Sequence, residues 1–370
     1  MSPSSAHIAR SGILRNEMER AGIDALLVYG NAWHADSLRY ATDFGIQEGQ
    51  ALALVGRDGA TTLLLDDRAE ADRARAEGNC EVVFAPKLIE AARDLLSRAG
   101  NRSVAATPWR LMPYGLTRDA RELRISDGAA LLEHLLMGKR DFELAAARRA
   151  AALADEGYKV FRDAARPGRK DYELIAEIEA FFRAHRVPEN FMIIGVGGVE
   201  VRGMAPPVGK VIKEGDLVTT ELTPCVDGYY AQVCRTLVSG TPSETQLKSF
   251  AVFQEALEAG LAAVKSGVPA SAIAKAENDV FRAHGLGDYV TSEYTRVRGH
   301  GIGLFPDQRP QILEDVHLPI VGDSTIIVHP NTYHPDAGYM VLGDTIIARA
   351  NGHERLGGLS RELFSVPVRE

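Results

Sequence analysis

The sequence predicts two domains, an α/β domain over residues 1–136 and an α+β domain over residues 137–370. Three observations carry this. The chain has 370 residues and a mass of 40.1 kDa, more than one typical core accommodates. Its first third alternates helical and strand periodicity. From Met137 the pattern changes to two long helices, then glycine-rich and β-branched segments, two more helices, and finally about 85 residues of short strands and turns.

In order, residues 7–22 have helical spacing and lead into the apolar strand 24–30, which Gly30-Asn31 closes. Residues 51–55 and 61–65 flank Arg57-Asp58-Gly59, a hairpin signal. A helical stretch, the strand Val82-Val83-Phe84 and an amphipathic helix over 88–96 follow. The boundary is expected in the Glu133–Lys139 stretch. Beyond it, helices over 141–161 and 171–186 are separated by the breaker Arg166-Pro167-Gly168-Arg169. Two more helices are expected near 246–265 and 270–284. Gly195-Val196-Gly197-Gly198 is read as a tight turn and not a dinucleotide loop, because the two prolines in 201–209 leave no following helix.

Composition removes several classes of function. The net charge of −8 and pI near 5.8 favour neither nucleic acid nor an anionic membrane surface. No apolar run approaches the roughly 20 residues that span a bilayer. The start, Met1-Ser2-Pro3-Ser4-Ser5, lacks a basic region followed by an apolar one, so no secretory signal is read. The three cysteines, Cys80, Cys225 and Cys234, show no zinc spacing and cannot all pair. The expected setting is cytoplasmic.

The motifs lie in the second half. Arg298-Gly299-His300-Gly301-Ile302-Gly303 is followed by Pro306-Asp307-Gln308. Upstream are Gly215-Asp216-Leu217-Val218 and Asp227-Gly228-Tyr229-Tyr230-Ala231-Gln232-Val233-Cys234-Arg235-Thr236. Downstream are Val328-His329-Pro330-Asn331-Thr332-Tyr333 and Leu342-Gly343-Asp344-Thr345. In order and spacing these runs resemble the family of methionine aminopeptidase, aminopeptidase P, prolidase and creatinase, over roughly residues 137–360. The resemblance implies a pita-bread catalytic-type domain at 137–370 behind a creatinase/prolidase-like N-terminal domain at 1–136, in a homodimer. It also implies a pocket whose peptidase members hold two divalent ions with Asp, Asp, His, Glu and Glu. Those positions are here Glu221, Gln232, His300, His329 and Gly343, so only His300 is unchanged and only Glu221 keeps a negative charge. Hard cations need charged oxygens, and about three have gone. Creatinase works without metal, but its catalytic His aligns with Met204 and its two glutamates with Cys234 and His329.

Strand alternation puts Tyr230, Gln232 and Cys234 on one face, with Glu221 within about one rung on the facing strand. Two imidazoles and a carboxylate suit proton transfer near neutral pH. The expected catalytic set is His300, His329 and Glu221, with Cys234 as a candidate nucleophile if a nearby imidazolium lowered its pKa. Glycines beside His300 are expected to permit close approach of a ligand. Gln232, Met204, Asp307 and Tyr230 are the expected substrate contacts. The N-terminal run 31–44 also resembles the family's N-terminal entry, and that resemblance implies Trp33, His34 and Arg39 as substrate contacts across a dimer. Arg235 is expected to pair structurally.

The leading expectation is a metal-independent, creatinase-like hydrolase that cleaves an amide, amidine or guanidinium C–N bond in a small polar metabolite, with no cofactor. One alternative is a one-metal hydrolase or Xaa-Pro-type peptidase using Glu221, His300 and His329. Another is a catalytically inactive homologue that binds a ligand or peptide.

Overall fold

The computed structural model describes residues 5–98 and 102–366 and divides into two compact units, residues 1–136 and 137–370. The first unit is built on six strands: β1 (Ala25–Asn31), β2 (Gln50–Gly56), β3 (Thr61–Leu65), β4 (Glu81–Phe84), β5 (Val104–Thr107) and β6 (Ile125–Asp127). Their order is β4-β3-β2-β1-β5-β6, with β1, β2 and β3 antiparallel and the outer pairs parallel. Helices α1 (Ser5–Arg20), α2 (Asp36–Thr42), α3 (Arg68–Glu77), α4 (Leu88–Arg98), α5 (Tyr114–Thr117) and α6 (Ala129–Met137) complete it. The central strand reads as an apolar run because both its faces are buried. Leu26 and Val28 join the cluster with Leu14 and Met18 of α1, and Leu27 packs on the opposite side with Leu88 and Ala92 of α4.

The second unit opens with α7 (Asp141–Ala164) and α8 (Asp171–Ala184), followed by β7 (Asn190–Gly197), β8 (Leu217–Val226), β9 (Tyr229–Tyr230) and β10 (Val233–Ser239). Helices α9 (Glu244–Ala263) and α10 (Ala270–Ala283) come next. The last are β11 (Gly299–Gly301), β12 (Gln308–Gln311), β13 (Thr325–Val328), β14 (Thr332–His334), β15 (Gly338–Met340), β16 (Gly343–Arg349), β17 (Gly352–Arg355) and β18 (Phe364–Val366). The main sheet runs β12-β11-β13-β16-β10-β8-β7, with β9, β17 and β18 paired off this path and β14-β15 forming a separate ribbon.

Local chemistry explains the helices. Ser243 and Gln246 close a capping box on α9, with Gln246 N–H donating to Ser243 Oγ at 3.1 Å and Ser243 N–H to Gln246 Oε1 at 2.9 Å. The buried stripe of α7 is mostly alanine, and Gly157 on it accommodates the Phe182 ring of α8; a Cβ there would lie 2.5 Å from the ring tip. Phe161, Leu174, Ile178 and Phe182 pack against Val218, Leu222 and Leu237 of β8 and β10. Phe253, Leu257 and Phe281 of α9 and α10 pack against Ile326, Val328 and Ile346 of β13 and β16. Because strand side chains alternate, Glu221, Cys234 and Ile327 face away from the helices. That is the face carrying the polar pocket.

The sheet is clamped by ionic contacts below that face. Arg235 is fully buried and donates to Asp344 Oδ1 at 2.7 Å and to the carbonyls of Gly343, Cys234, Leu359 and Ser360. Asp344 also receives Arg355 at 2.9 Å and Arg361 at 2.6 Å. Arg235 therefore has the structural role expected of it. Among the described residues no helix is long and apolar enough to cross a membrane.

Candidate active site

A cavity of about 520 Å³ opens on the polar face of the second unit. Glu221 from β8, His300 from β11, His329 beyond β13, and Gln232 from the link between β9 and β10 line it, together with Met204 and Asp307. Six of the eleven residues expected at the site are thus brought together.

Cys234 lies directly opposite Glu221 in the β8–β10 register. Glu221 is buried, accepts from Asn331 Nδ2 at 2.8 Å, and also hydrogen-bonds the Cys234 thiol. Burial raises its pKa to about 7 against the lowering effect of those two bonds. His300 is tied to the Gly301 carbonyl at 2.9 Å through Nδ1, and a carbonyl can only accept. The proton therefore sits on Nδ1, and in the neutral ring the lone pair is on Nε2. Asp307 Oδ1 lies 3.9 Å from Nδ1 and partly offsets the burial that lowers the pKa. The His329 ring stands edge-on to His300 with centroids 5.6 Å apart. Burial first, and then His300, hold its pKa well below the ordinary value. Both rings are neutral near pH 7.

The glycines around His300 serve its neighbours, which corrects the expectation that they admit a ligand. A Cβ on Gly299 would strike the Ile327 carbonyl of β13, and one on Gly301 the Arg309 carbonyl of β12. Gly299 also has φ +140°, where side chains are strained.

Five expected residues are not in the cavity lining. Tyr230 turns away, its hydroxyl bonded to Glu189, because residues 231 and 232 interrupt the strand and break the alternation that would have put it beside Gln232. Cys234 is 0 % exposed beneath Met204 and Tyr339. Burial and the Glu221 charge raise its thiol pKa well above normal, so it is no ready nucleophile. Trp33, His34 and Arg39 belong to the first unit, where Arg39 pairs with Asp36 at 2.8 Å and the His34 N–H donates to Asn31 Oδ1 at 2.9 Å. The cavity is lined wholly by residues of the second unit.

Sequence reasoning missed several contributors. Asn331 holds Glu221, and its Oδ1 accepts from the Leu342 N–H at 3.1 Å, bridging two family segments. Its presence in the Val328–Tyr333 run was the available signal. Arg202 and Arg296 stand at the mouth. Arg202 lies over the rings of Tyr294 and Tyr333 and 3.8 Å from Glu293, and Arg296 pairs with Asp307. Phe191, Ile193, Val297 and Pro306 supply apolar wall.

Residues 145–350 match Metallopeptidase family M24, and residues 10–133 match the Creatinase/Prolidase N-terminal domain. The chain belongs to metallopeptidase family M24. It is 25 % identical over 360 residues to the uncharacterized peptidase YqhT of Bacillus subtilis, covering 95 % of this chain and 98 % of that one. It is 23 % identical to a Xaa-Pro dipeptidase of Pyrococcus horikoshii, covering 94 % and 96 %. Among solved structures, the X-Pro aminopeptidase of Thermotoga maritima superposes with a TM-score of 0.87 at 20 % identity, over 96 % of this chain and 99 % of that chain. The prolidase of Pyrococcus horikoshii gives 0.83 at 21 %, over 96 % and 99 %. The two-domain pita-bread architecture read from the motifs is the observed fold.

These findings overturn the leading functional expectation. A metal-independent hydrolase of amidine or guanidinium C–N bonds is not what the family match and the peptidase names indicate; they indicate a hydrolase of the peptidase kind, with metal. The expectation erred because it inferred a reaction from missing donors, and missing donors define only what a site lacks.

The donors nevertheless do not fit the family's two ions. Of the five positions only Glu221 carries a carboxylate, and at about pH 7 it is half protonated. Gln232 directs its Nε2 to Cys234 Sγ at 3.4 Å. Among the described residues no three His, Cys, Asp or Glu side chains converge to hold a metal ion.

Proposed function

We propose that the protein is a peptidase acting on short peptides of the Xaa-Pro class, seated in the cavity around Glu221 and His300. The observation that carries this is the coincidence of family and pocket. Every residue lining the cavity lies within the matched span 145–350. The dipeptidase name of the Pyrococcus horikoshii relative supports the substrate class.

The chain's own side chains suit such a ligand. Arg202 and Arg296 at the mouth match a peptide carboxylate, and Glu293 and Asp307 match an ammonium group. Phe191, Ile193, Met204 and Pro306 offer apolar surface to a pyrrolidine ring. Asn331 fixes Glu221, and the Gly301 carbonyl fixes the His300 tautomer. The donor set does not fit two ions, so no catalytic step is assigned to metal. A homodimer in the cytoplasm belongs to the same proposal.

The donor count favours a second reading, a family member that binds peptides without turnover. One experiment separates the two. Purified protein is incubated with Xaa-Pro dipeptides and tripeptides, without added metal and with Mn²⁺, Co²⁺ or Zn²⁺, and products are followed by mass spectrometry alongside calorimetric titration. Cleavage under any of these conditions supports the peptidase. Binding without cleavage selects the second reading, and neither binding nor cleavage refutes both.

A further inference from the structure

We infer that His329 and Gly343 form a steric pair that closes half of the family's two-ion site, so that this chain assembles no two-ion centre even when ions are abundant. The two positions face each other where β13 and β16 converge. The register pairs Val328 with Asp344, so the next rung places 329 opposite 343. A Cβ built on Gly343 would lie 2.6 Å from His329 Cβ, 2.9 Å from the Val328 carbonyl oxygen and 3.3 Å from Cys234 Sγ. The first two are the root of a side chain and the backbone, and neither can swing aside. The family's peptidases carry a glutamate at each position; in this chain the strands lie so close that only position 329 carries a side chain. That side chain is an imidazole whose buried Nδ1 has no hydrogen-bond partner among the described residues.

The remaining polar groups on this face are turned toward one another. Gln232 Nε2 donates to Cys234 Sγ at 3.4 Å, and Asn331 Nδ2 donates to Glu221 Oε1 at 2.8 Å. The Gln232 backbone is fixed at both ends by Thr345 Oγ1, which accepts from its N–H and donates to its carbonyl, each at 2.8 Å. Two divalent ions bring four positive charges. Facing them at the five ligand positions are one carboxylate, one amide and two imidazoles, and Asp307, the other acid close to His300, is paired with Arg296. The exchange at 329 and 343 is thus coupled: a carboxylate restored at 343 alone would have to part the two strands.

The inference concerns which ions the residues hold and stands whether or not Xaa-Pro peptides are the ligand, so its test reads no activity. Wild-type protein purified without chelators is equilibrated with excess Mn²⁺, Co²⁺ or Zn²⁺, desalted, and its ions counted by elemental analysis. The expected result is well below two ions per chain with each metal, and two ions per chain would overturn the inference. Steric pairing is tested by a double-mutant cycle read as melting temperature. Gly343→Ala should lower the Tm by roughly 5 °C or more in the wild-type background. It should lower it by clearly less in a His329→Gly background, where the Val328 carbonyl and the Cys234 sulfur still oppose the added methyl but the closest contact is gone. An equal loss in both backgrounds would refute the pairing. If Gly343→Ala does not fold, the wild-type ion count still decides.

Discussion

Glu221→Gln should stabilise the protein at alkaline pH and leave it unchanged in acid. Glu221 is 9 % exposed, and its pKa stands at about 7 against an ordinary 4.5. The folded state therefore holds this proton more tightly than the unfolded state. Between pH 4.5 and 7 the unfolded state binds fewer protons, so stability falls as pH rises through that window. Two and a half pH units at 1.36 kcal/mol each come to about 3 kcal/mol lost by pH 8. A neutral amide of the same shape removes that loss. Its oxygen keeps the bond from Asn331, and its NH₂ faces the Cys234 sulfur, a weak acceptor, which trims the gain. At roughly 2–4 °C per kcal/mol for a domain of this size, the variant should melt about 6–12 °C higher at pH 8 and within about 2 °C of wild type at pH 4. Differential scanning calorimetry across pH 4–8 measures this, and titrating groups remote from Glu221 cancel in the difference. A constant offset at all pH values, or a variant less stable at pH 8, would show that Glu221 is not a strained, buried acid.

Asp344→Asn should lower the Tm by roughly 6–20 °C, because it leaves Arg235 buried with its charge uncompensated, a loss of about 3–5 kcal/mol. A change under 3 °C would mean that the surrounding carbonyls hold Arg235 unaided. Arg202→Ala and Arg296→Ala should each weaken binding of a Xaa-Pro dipeptide about five- to tenfold, with a dependence on ionic strength, while Tm hardly moves, since exposed ion pairs contribute about 1 kcal/mol or less. Unchanged affinity in the double variant would remove the carboxylate from the mouth of the cavity.

Most elements were legible because their signals are local. The stripe of α7, the capping box of α9 and the apolar run of β1 each state their structure within a few residues. So was the meeting of Glu221 with Gln232 and Cys234, since a two-fold alternation and one hairpin fix it to within a rung. Tyr230 shows where that reasoning stops. A two-residue interruption at 231–232 resets the alternation, and nothing in Tyr-Tyr-Ala-Gln announces it. Arg202 and Arg296 were illegible for another reason. They sit in irregular segments whose approach to the cavity depends on contacts with Tyr294, Tyr333 and Asp307, far away in the chain or undefined by any period.

Gly343 marks the deeper limit. From the sequence it is a ligand position without a ligand, an absence with no partner. In the fold it is half of a contact with His329, fourteen residues earlier on the neighbouring strand. The two substitutions become one event only when the strands are brought together, and each then makes the other tolerable. The same applies to function. Counting donors along the chain pointed toward chemistry without metal, whereas the family match over 145–350 points to peptide hydrolysis. Both rest on sound observations, and they conflict over a handful of side chains. The proposed reaction draws on the whole pocket, including the arginines, the apolar wall and the Asn331 clamp that donor counting never weighed. The donors decide something narrower, namely how many ions that pocket can neutralise.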